Sequence, residues 1–186
     1  GIPAPAMGSA LGGPIDGVLA EEVALNASAV LPVPNHLNLE EASTLPCAAL
    51  TAWHALSADV PVAAGETVLL LGTGGVSVFA QQFCTAMGAT TIVTSSSHDK
   101  LARIIELGAG HTINYASDPD WEKTVIELTD GRGVDRVVEV GGPGTLQKSI
   151  AAVRVGGRIQ LIGVLTDPAG MIMPVDIMRK SITVKG

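Results

Sequence analysis

The chain has 186 residues, 47% of them apolar and 3% aromatic, with 22 Gly, 11 Pro and a formal net charge of −7. That apolar fraction rules out a disordered chain, and the length has room for one ordinary domain with a full core, or one domain and a fragment of another. The acidic balance, with no cluster of Lys and Arg to displace phosphate counterions, argues against a nucleic-acid partner; no apolar run nears the roughly 20 residues that cross a bilayer and residues 1–15 carry no signal-peptide pattern, so a cytoplasmic protein with no membrane partner is expected.

Residues 1–36 contain several Pro and one strand-like stretch, Gly17 to Leu25, but too few apolar positions for a domain, and are read as the tail of something larger. Asn38-Leu-Glu-Glu41 is a capping-box helix start, and Cys47 to Leu56, after Pro46, reads as a second helix. An apolar strand, Val68 to Leu71, then runs into Gly72-Thr73-Gly74-Gly75-Val76-Ser77. Beyond it Val76, Phe79, Ala80, Phe83, Cys84 and Met87 recur at helical spacing, with Gly88 placed as a left-handed cap. Of the two cysteines, Cys84 lies on that apolar stripe as a small hydrophobe, and nothing supports a disulfide with Cys47.

The alternation continues to the end of the chain. Thr90 to Thr94 is a β-branched strand, and Ser97 caps a helix carrying Leu101, Ile104 and Ile105 and closed by Gly108. A short strand follows at His111 to Asn114. Asp118 and Pro119 are placed at N-cap and N1 of a helix with Trp121, Val125 and Leu128 on one face, stopped by Asp130-Gly131. Val134 to Val140 reads as a strand buried on both faces, and Gly141-Gly142-Pro143-Gly144 turns into a helix with Leu146, Ile150 and Val153 inward, ended by Gly156-Gly157. Arg158 to Ile162 is the fifth strand and Ser181 to Val184 begins a sixth. The pattern over residues 67–186 is that of an α/β protein with a Rossmann-type doubly wound parallel sheet, its ligand at the carboxyl ends of the strands.

The glycine turn is the main pointer to chemistry. Gly72 permits the tight strand-to-helix reversal, Gly74 lets the backbone approach a pyrophosphate, and the following helix offers unpaired N–H groups and the positive end of its dipole. Ser77 takes the third glycine position of G-x-G-x-x-G, where a small side chain still permits close packing. The plainer alternative is a strand-loop-helix turn with no ligand.

Leu45-Pro-Cys-Ala-Ala-Leu-Thr-Ala-Trp53, Gly65-Glu-Thr-Val-Leu69 and the glycine turn, then Ile113-Asn-Tyr115, Gly131-Arg-Gly-Val-Asp135, Gly156-Gly-Arg158 and Gly163-Val-Leu165, together resemble the medium-chain dehydrogenase/reductase superfamily. Within it the chain looks most like the zinc-type alcohol dehydrogenase-like and quinone-reductase branch. The resemblance implies an oxidoreductase that passes hydride between a nicotinamide cofactor and a small-molecule carbonyl, enone or quinone. It also implies that residues 1–36 are a remnant of an N-terminal catalytic domain, that residues 37–186 are the dinucleotide-binding domain, truncated at its C-terminus, and that a homodimer forms through the final strand.

The cofactor expected is NADP(H) rather than NAD(H). NAD sheets place a carboxylate about 20 residues past the glycines for the ribose 2′-OH, whereas here the second strand ends in Thr94-Ser95-Ser96-Ser97 and the first acid is Asp99. Hydroxyls and backbone N–H groups at Ser95 and Ser96 suit a 2′-phosphate, and Lys100 adds charge, with Asp99 opposing it. By resemblance Lys100 and Tyr115 flank the adenosine phosphate, Thr51 lies near the cofactor, and Gly141, Gly142, Gly163, Val164 and Leu165 contact ribose and nicotinamide. The cofactor set is thus Thr51, Gly72, Thr73, Gly74, Gly75, Val76, Ser77, Ser95, Ser96, Lys100, Tyr115, Gly141, Gly142, Gly163, Val164 and Leu165. A solvated lysine, a half-buried tyrosine and glycines kept for turn geometry are the competing readings.

No metal is expected. Cys47 resembles a thiolate ligand of zinc-dependent alcohol dehydrogenases, but a catalytic zinc wants three protein ligands, and Cys47 reads better as a packed small residue. His54 reads as a helix-packed imidazole; His36, His98 and His111 suggest no acid/base pair, and no catalytic residue is named. The alternatives are a zinc-dependent alcohol dehydrogenase, separable by metal content, and a noncatalytic dinucleotide binder, separable by assay with quinones, enones and alcohols. A methyltransferase would want an acid at the end of the second strand.

Overall fold

The computed structural model of the protein describes residues 8–166 and 169–186, which fall into two units, Gly1–Leu39 and Glu40–Gly186. In the first, the described residues form a 3-10 turn, Ala27–Ala29, capped by the Asn26 side chain, and one isolated bridge between Leu11 and Ile15. The strand expected at Gly17 to Leu25 is not formed, and Val18, Leu19, Val23 and Leu25 are exposed. A strand needs a neighbour for its backbone groups and a face to bury, and this segment has neither among the described residues.

Six strands build the second unit: β1 (Thr67–Leu70), β2 (Thr90–Ser95), β3 (His111–Asn114), β4 (Val134–Glu139), β5 (Val153–Leu161) and β6 (Thr183–Lys185). All pair in parallel in the order β3-β2-β1-β4-β5-β6. α1 (Leu39–Ser43), a π-helical turn (Leu45–Ala49) and α2 (Leu50–Ser57) precede β1, and the strands are connected by α3 (Gly75–Ala86), α4 (His98–Glu106), α5 (Trp121–Leu128), α6 (Pro143–Ala152) and α7 (Pro174–Lys180).

The sheet is central because its inner strands bury both faces. Val68, Leu70, Val93 and Val138 pack against Ala52, Leu56, Ala80, Cys84 and Ile104 of α2, α3 and α4, while Leu69, Ile92, Val137 and Ile159 pack against Trp121, Val125, Leu146 and Ile150 of α5 and α6. Each such side chain contributes about 1.5–3 kcal/mol on burial, which is why a run such as Val68-Leu69-Leu70 belongs inside a parallel sheet. Gly88 and Gly108 adopt positive φ after α3 and α4, as their placement predicted. Ser97 caps α4 by accepting the Lys100 N–H.

Several boundaries differ from the sequence reading. α5 starts at Trp121 behind Asp120, not at Pro119, because Ser117 and Asp118 turn back onto the Asn114 carbonyl; Asp118 instead accepts the Thr124 hydroxyl at 2.6 Å. Leu128, expected inward, is 37% exposed at the end of that helix. α6 stops at Ala152, so Val153 opens β5 and Gly156-Gly157 lie within that strand rather than ending a helix. The partner of β4 jumps from Val153 to Arg158 between Val134 and Arg136, and Gly156 at φ +70° loops out in the jump.

The stop at Ala152 has a visible cause. Lys180 Nζ donates to the carbonyls of Ile150, Ala151 and Val153, closing the C-terminal end of α6. Lys180 ends α7, a helix absent from the sequence reading, and burial lowers the pKa of this amine. The single helix read at Cys47 to Leu56 is a π-helical turn followed by α2, with His54 exposed rather than packed. Both cysteines are free thiols.

Candidate functional site

Strand order reverses between β1 and β4, so the chain leaves these two neighbours in opposite directions and opens a crevice at their carboxyl ends. The glycine turn lies there. Gly72 has φ +74°, and a Cβ built on Gly72 or Gly74 would meet nothing within 4 Å, so the surface beside both backbones is open. The first bond of α3 runs from Val78 N–H to Gly74 O at 2.9 Å, which leaves the N–H groups of Gly75, Val76 and Ser77 without acceptors inside the helix. Gly75 serves packing, since its Cβ would stand 3.2 Å from Ala48 Cβ. Buried Ser77 donates its hydroxyl to Leu71 O at 2.7 Å, so the residue in the third glycine position ties strand to helix.

A second group of sequence-predicted residues gathers at the end of β2. Gly72 N–H donates to Thr94 Oγ1 at 3.2 Å, the Thr73 and Ser95 hydroxyls lie 3.2 Å apart, and Tyr115 N–H donates to Ser95 O at 3.1 Å. No carboxylate lies on this strand; Ser96 and Lys100 are exposed beside it. Asn114 Oδ1 accepts the Ala116 N–H at 3.0 Å, which turns its amide nitrogen toward His98 Nε2, also at 3.0 Å. A cavity of about 260 Å³ opens between α3 and α4, lined by Thr73, Val78, Lys100, Arg103, Ile104 and Leu107.

The third group closes the ends of β4 and β5. Thr166 links the two loops, accepting from Gly144 N–H at 2.9 Å and donating its hydroxyl to Gly141 O at 2.8 Å. Packing requires glycine here: a Cβ on Gly142 would lie 2.7 Å from Val164 Cα and one on Gly163 2.5 Å from Val140 O. Beneath them Glu139, with no exposed surface, accepts from Gly141 N–H, Gly142 N–H, Thr145 Oγ1 and Ser149 Oγ. The carboxylate substitutes for the backbone bonds that the turn forgoes. Val164 and Leu165 are left exposed at 58% and 82%. Thr51, half-buried in the first turn of α2, joins none of these hydrogen-bond groups.

Glu139, Thr145, Thr166 and Arg103 were not among the sequence candidates. An acid closing a Val-rich strand just before Gly-Gly was a readable sign of Glu139; Thr166 had none, because its role depends on two loops meeting. Two other buried charges secure the frame. Burial opposes ionisation of Asp135, but hydrogen bonds from Arg132, Thr67 N–H and Arg154 outweigh it and hold its pKa well below the usual carboxylate range. Arg136, 2% exposed, donates to Ala55 O at 2.8 Å and Val60 O at 2.5 Å, tying the end of α2 to the sheet.

Among the described residues no three His, Cys, Asp or Glu side chains converge as a metal site. Cys47 is exposed, not packed as its apolar context had suggested, and one thiol does not meet the three-ligand need of a catalytic zinc. A wider hollow of about 500 Å³ in the first unit is lined by Asp16 and Glu22 and by no cation, the wrong charge for a phosphorylated ligand. No helix among the described residues is long and apolar enough to cross a membrane.

The family model described as zinc-binding dehydrogenase matches residues 75–186. A zinc-type alcohol dehydrogenase-like protein of Schizosaccharomyces pombe is 49% identical over 157 residues, covering 83% of this chain and 45% of the relative. The chain superposes on a Sinorhizobium meliloti protein assigned as an alcohol dehydrogenase with TM-score 0.89 at 44% identity, over 95% of this chain and 51% of that one. A quinone oxidoreductase of Thermus thermophilus, also solved with NADPH, gives TM-score 0.78 at 34% identity, over 92% and 54%. The chain spans about half the length of the curated relatives it matches, 45% and 49% for the first two.

Proposed function

Because this chain belongs to the zinc-binding dehydrogenase family, within the medium-chain dehydrogenase/reductase superfamily, we propose that it is the dinucleotide-binding part of an NADP(H)-dependent oxidoreductase acting on a carbonyl, enone or quinone. The observation that carries the reading is the open face at Gly72 and Gly74, set beside the free N–H groups of α3 at the switch point of the sheet. There Gly75, Val76 and Ser77 would cradle the pyrophosphate. The choice of NADP(H) is supported by the hydroxyl of Ser95 at the end of β2, where an NAD site would carry an acid, with the Thr73 hydroxyl 3.2 Å away and Ser96, Lys100 and Tyr115 around them.

Bound nicotinamide supplies the hydride; the residues of this chain orient it. Gly141, Gly142 and Gly163 form a narrow floor that a larger residue could not enter without clashing, and Val164 and Leu165 offer apolar surface toward the reacting end. In the same reading residues 1–36 belong to a catalytic domain, Thr51 lies near the cofactor, the protein works in the cytoplasm, and the edge strand β6 serves a homodimer. Thermal-shift titration tests the core of the proposal. NADPH should raise the melting temperature more than NADH at equal concentration, and Gly74→Val should abolish that response while lowering the unliganded melt only slightly, the cost of a poorer N-cap for α3. Equal responses to the two coenzymes would remove the NADP(H) assignment, and binding by the Val variant would move the site away from the turn.

A further inference from the structure

We infer that Arg103 is a specificity-determining residue for NADP(H): with Lys100 it forms a two-cation clamp for the ribose 2′-phosphate at the mouth of the cavity between α3 and α4. The inference rests on the NADP(H) reading above and extends it to a residue outside the sequence-predicted set. Lys100 and Arg103 are three apart on one helix and both line the same cavity of about 260 Å³. Like charges at that spacing repel, and helices usually relieve the repulsion with a carboxylate partner. Here neither cation has an ion pair among the described residues, although Asp99 and Glu106 share the helix.

In a chain of net charge −7, two unpaired cations facing one cavity are a local reversal of sign. The cavity has a polar end at Thr73, whose hydroxyl meets that of Ser95 at the end of β2, and an apolar floor of Val78, Ile104 and Leu107. A phosphate monoester entering at Thr73 would find hydroxyls on the strand side and cations on the helix side. A neutral 2′-OH at the same place can meet the Thr73 and Ser95 hydroxyls but has no charge for the two cations to engage, so NAD gains less there than NADP. Lysine supplies a point charge, whereas the planar guanidinium can hold two phosphate oxygens at once, and this makes Arg103 more than a duplicate of Lys100.

The test is calorimetric titration of the wild type, Arg103→Gln and Arg103→Lys with NADPH, NADH, 2′-AMP and 5′-AMP. Arg103→Gln should weaken NADPH and 2′-AMP about fivefold to thirtyfold and leave NADH and 5′-AMP unchanged, with Arg103→Lys in between. Position 103 is exposed, so the variant should fold, and an unchanged melting temperature without ligand checks this. If the wild type prefers NADPH and the Gln variant keeps that preference in full, Arg103 is overturned while the NADP(H) reading stands. If the Gln variant weakens both coenzymes equally, the clamp is overturned as well. A wild type that takes NADH and NADPH alike overturns the reading first and this inference with it.

Discussion

Replacing Glu139 tests the account of the β4 and β5 ends most directly. Four donors converge on its carboxyl: Gly141 N–H at 2.8 Å, Gly142 N–H at 3.0 Å and Thr145 Oγ1 at 2.6 Å on one oxygen, and Ser149 Oγ on the other. Glu139→Ala strands the two backbone N–H groups in a site with no exposed surface, at about 1–3 kcal/mol each. The hydroxyls lose less, since they rotate; Thr145 already has Gly142 O at 3.2 Å. Two stranded N–H groups at that cost give an expected loss of about 2–6 kcal/mol. With a urea slope of about 2 kcal/mol/M, the unfolding midpoint should fall by about 2 M. Glu139→Gln keeps an oxygen for both N–H groups and should cost about 1–2 kcal/mol. A midpoint for Glu139→Ala within about 0.5 M of the wild type, or equal losses for the two variants, would refute the claim that the side chain acts as acceptor for the Gly-Gly turn.

Gly75→Val should destabilise by about 1–3 kcal/mol in urea melts, because its Cβ enters the space of Ala48, while Gly74→Val should cost about 0.5 kcal/mol as a poorer N-cap; equal stabilities would contradict the division between packing and ligand glycines. Asp135→Asn should cost about 1–3 kcal/mol at pH 7. A carboxylate whose pKa is lowered on folding contributes fully above its unfolded value of about 3.9 and loses that contribution as pH falls toward the folded one, so the difference from the wild type should shrink below about pH 4 in melts across the range. Native protein should react with Ellman's reagent at Cys47 alone, since Cys47 is exposed and burial pushes the Cys84 thiol up to about 12; two rapid equivalents before unfolding would place Cys84 at the surface. Lys180→Met should lower stability by about 1–3 kcal/mol by freeing three carbonyls at the end of α6, read as faster amide exchange in its last turn.

The strands were readable where composition and local geometry coincide. Val68 to Leu71 and Thr90 to Thr94 are apolar or β-branched runs, and Val134 to Val140 carries four Val among Asp135, Arg136 and Glu139; each is followed by Gly or Ser, and they form β1, β2 and β4 with small shifts at their ends. Caps at Ser97, Gly88 and Gly108 were equally plain, because a cap is set by residues adjacent in the chain. Apolar periodicity failed at Val153, where the residue fits a helix face and a strand alike, and at Gly17 to Leu25, where a strand-like pattern has no partner among the described residues.

The linear order of residues was sufficient for β1 to β4, the helices between them and the glycine turn, since each depends on propensity and spacing within a few residues, and for the family, whose motifs recur along the chain. Long-range packing settled the rest: where α6 yields to β5, through an amine from Lys180 some 27 to 30 positions away; how Glu139 and Thr166 brace two loops; and that Arg103 and Lys100 share a cavity with Thr73. A buried donor or an unpaired charge takes whichever partner folding brings near, and nearness in space across separate strands and helices is not written in the spacing along the chain.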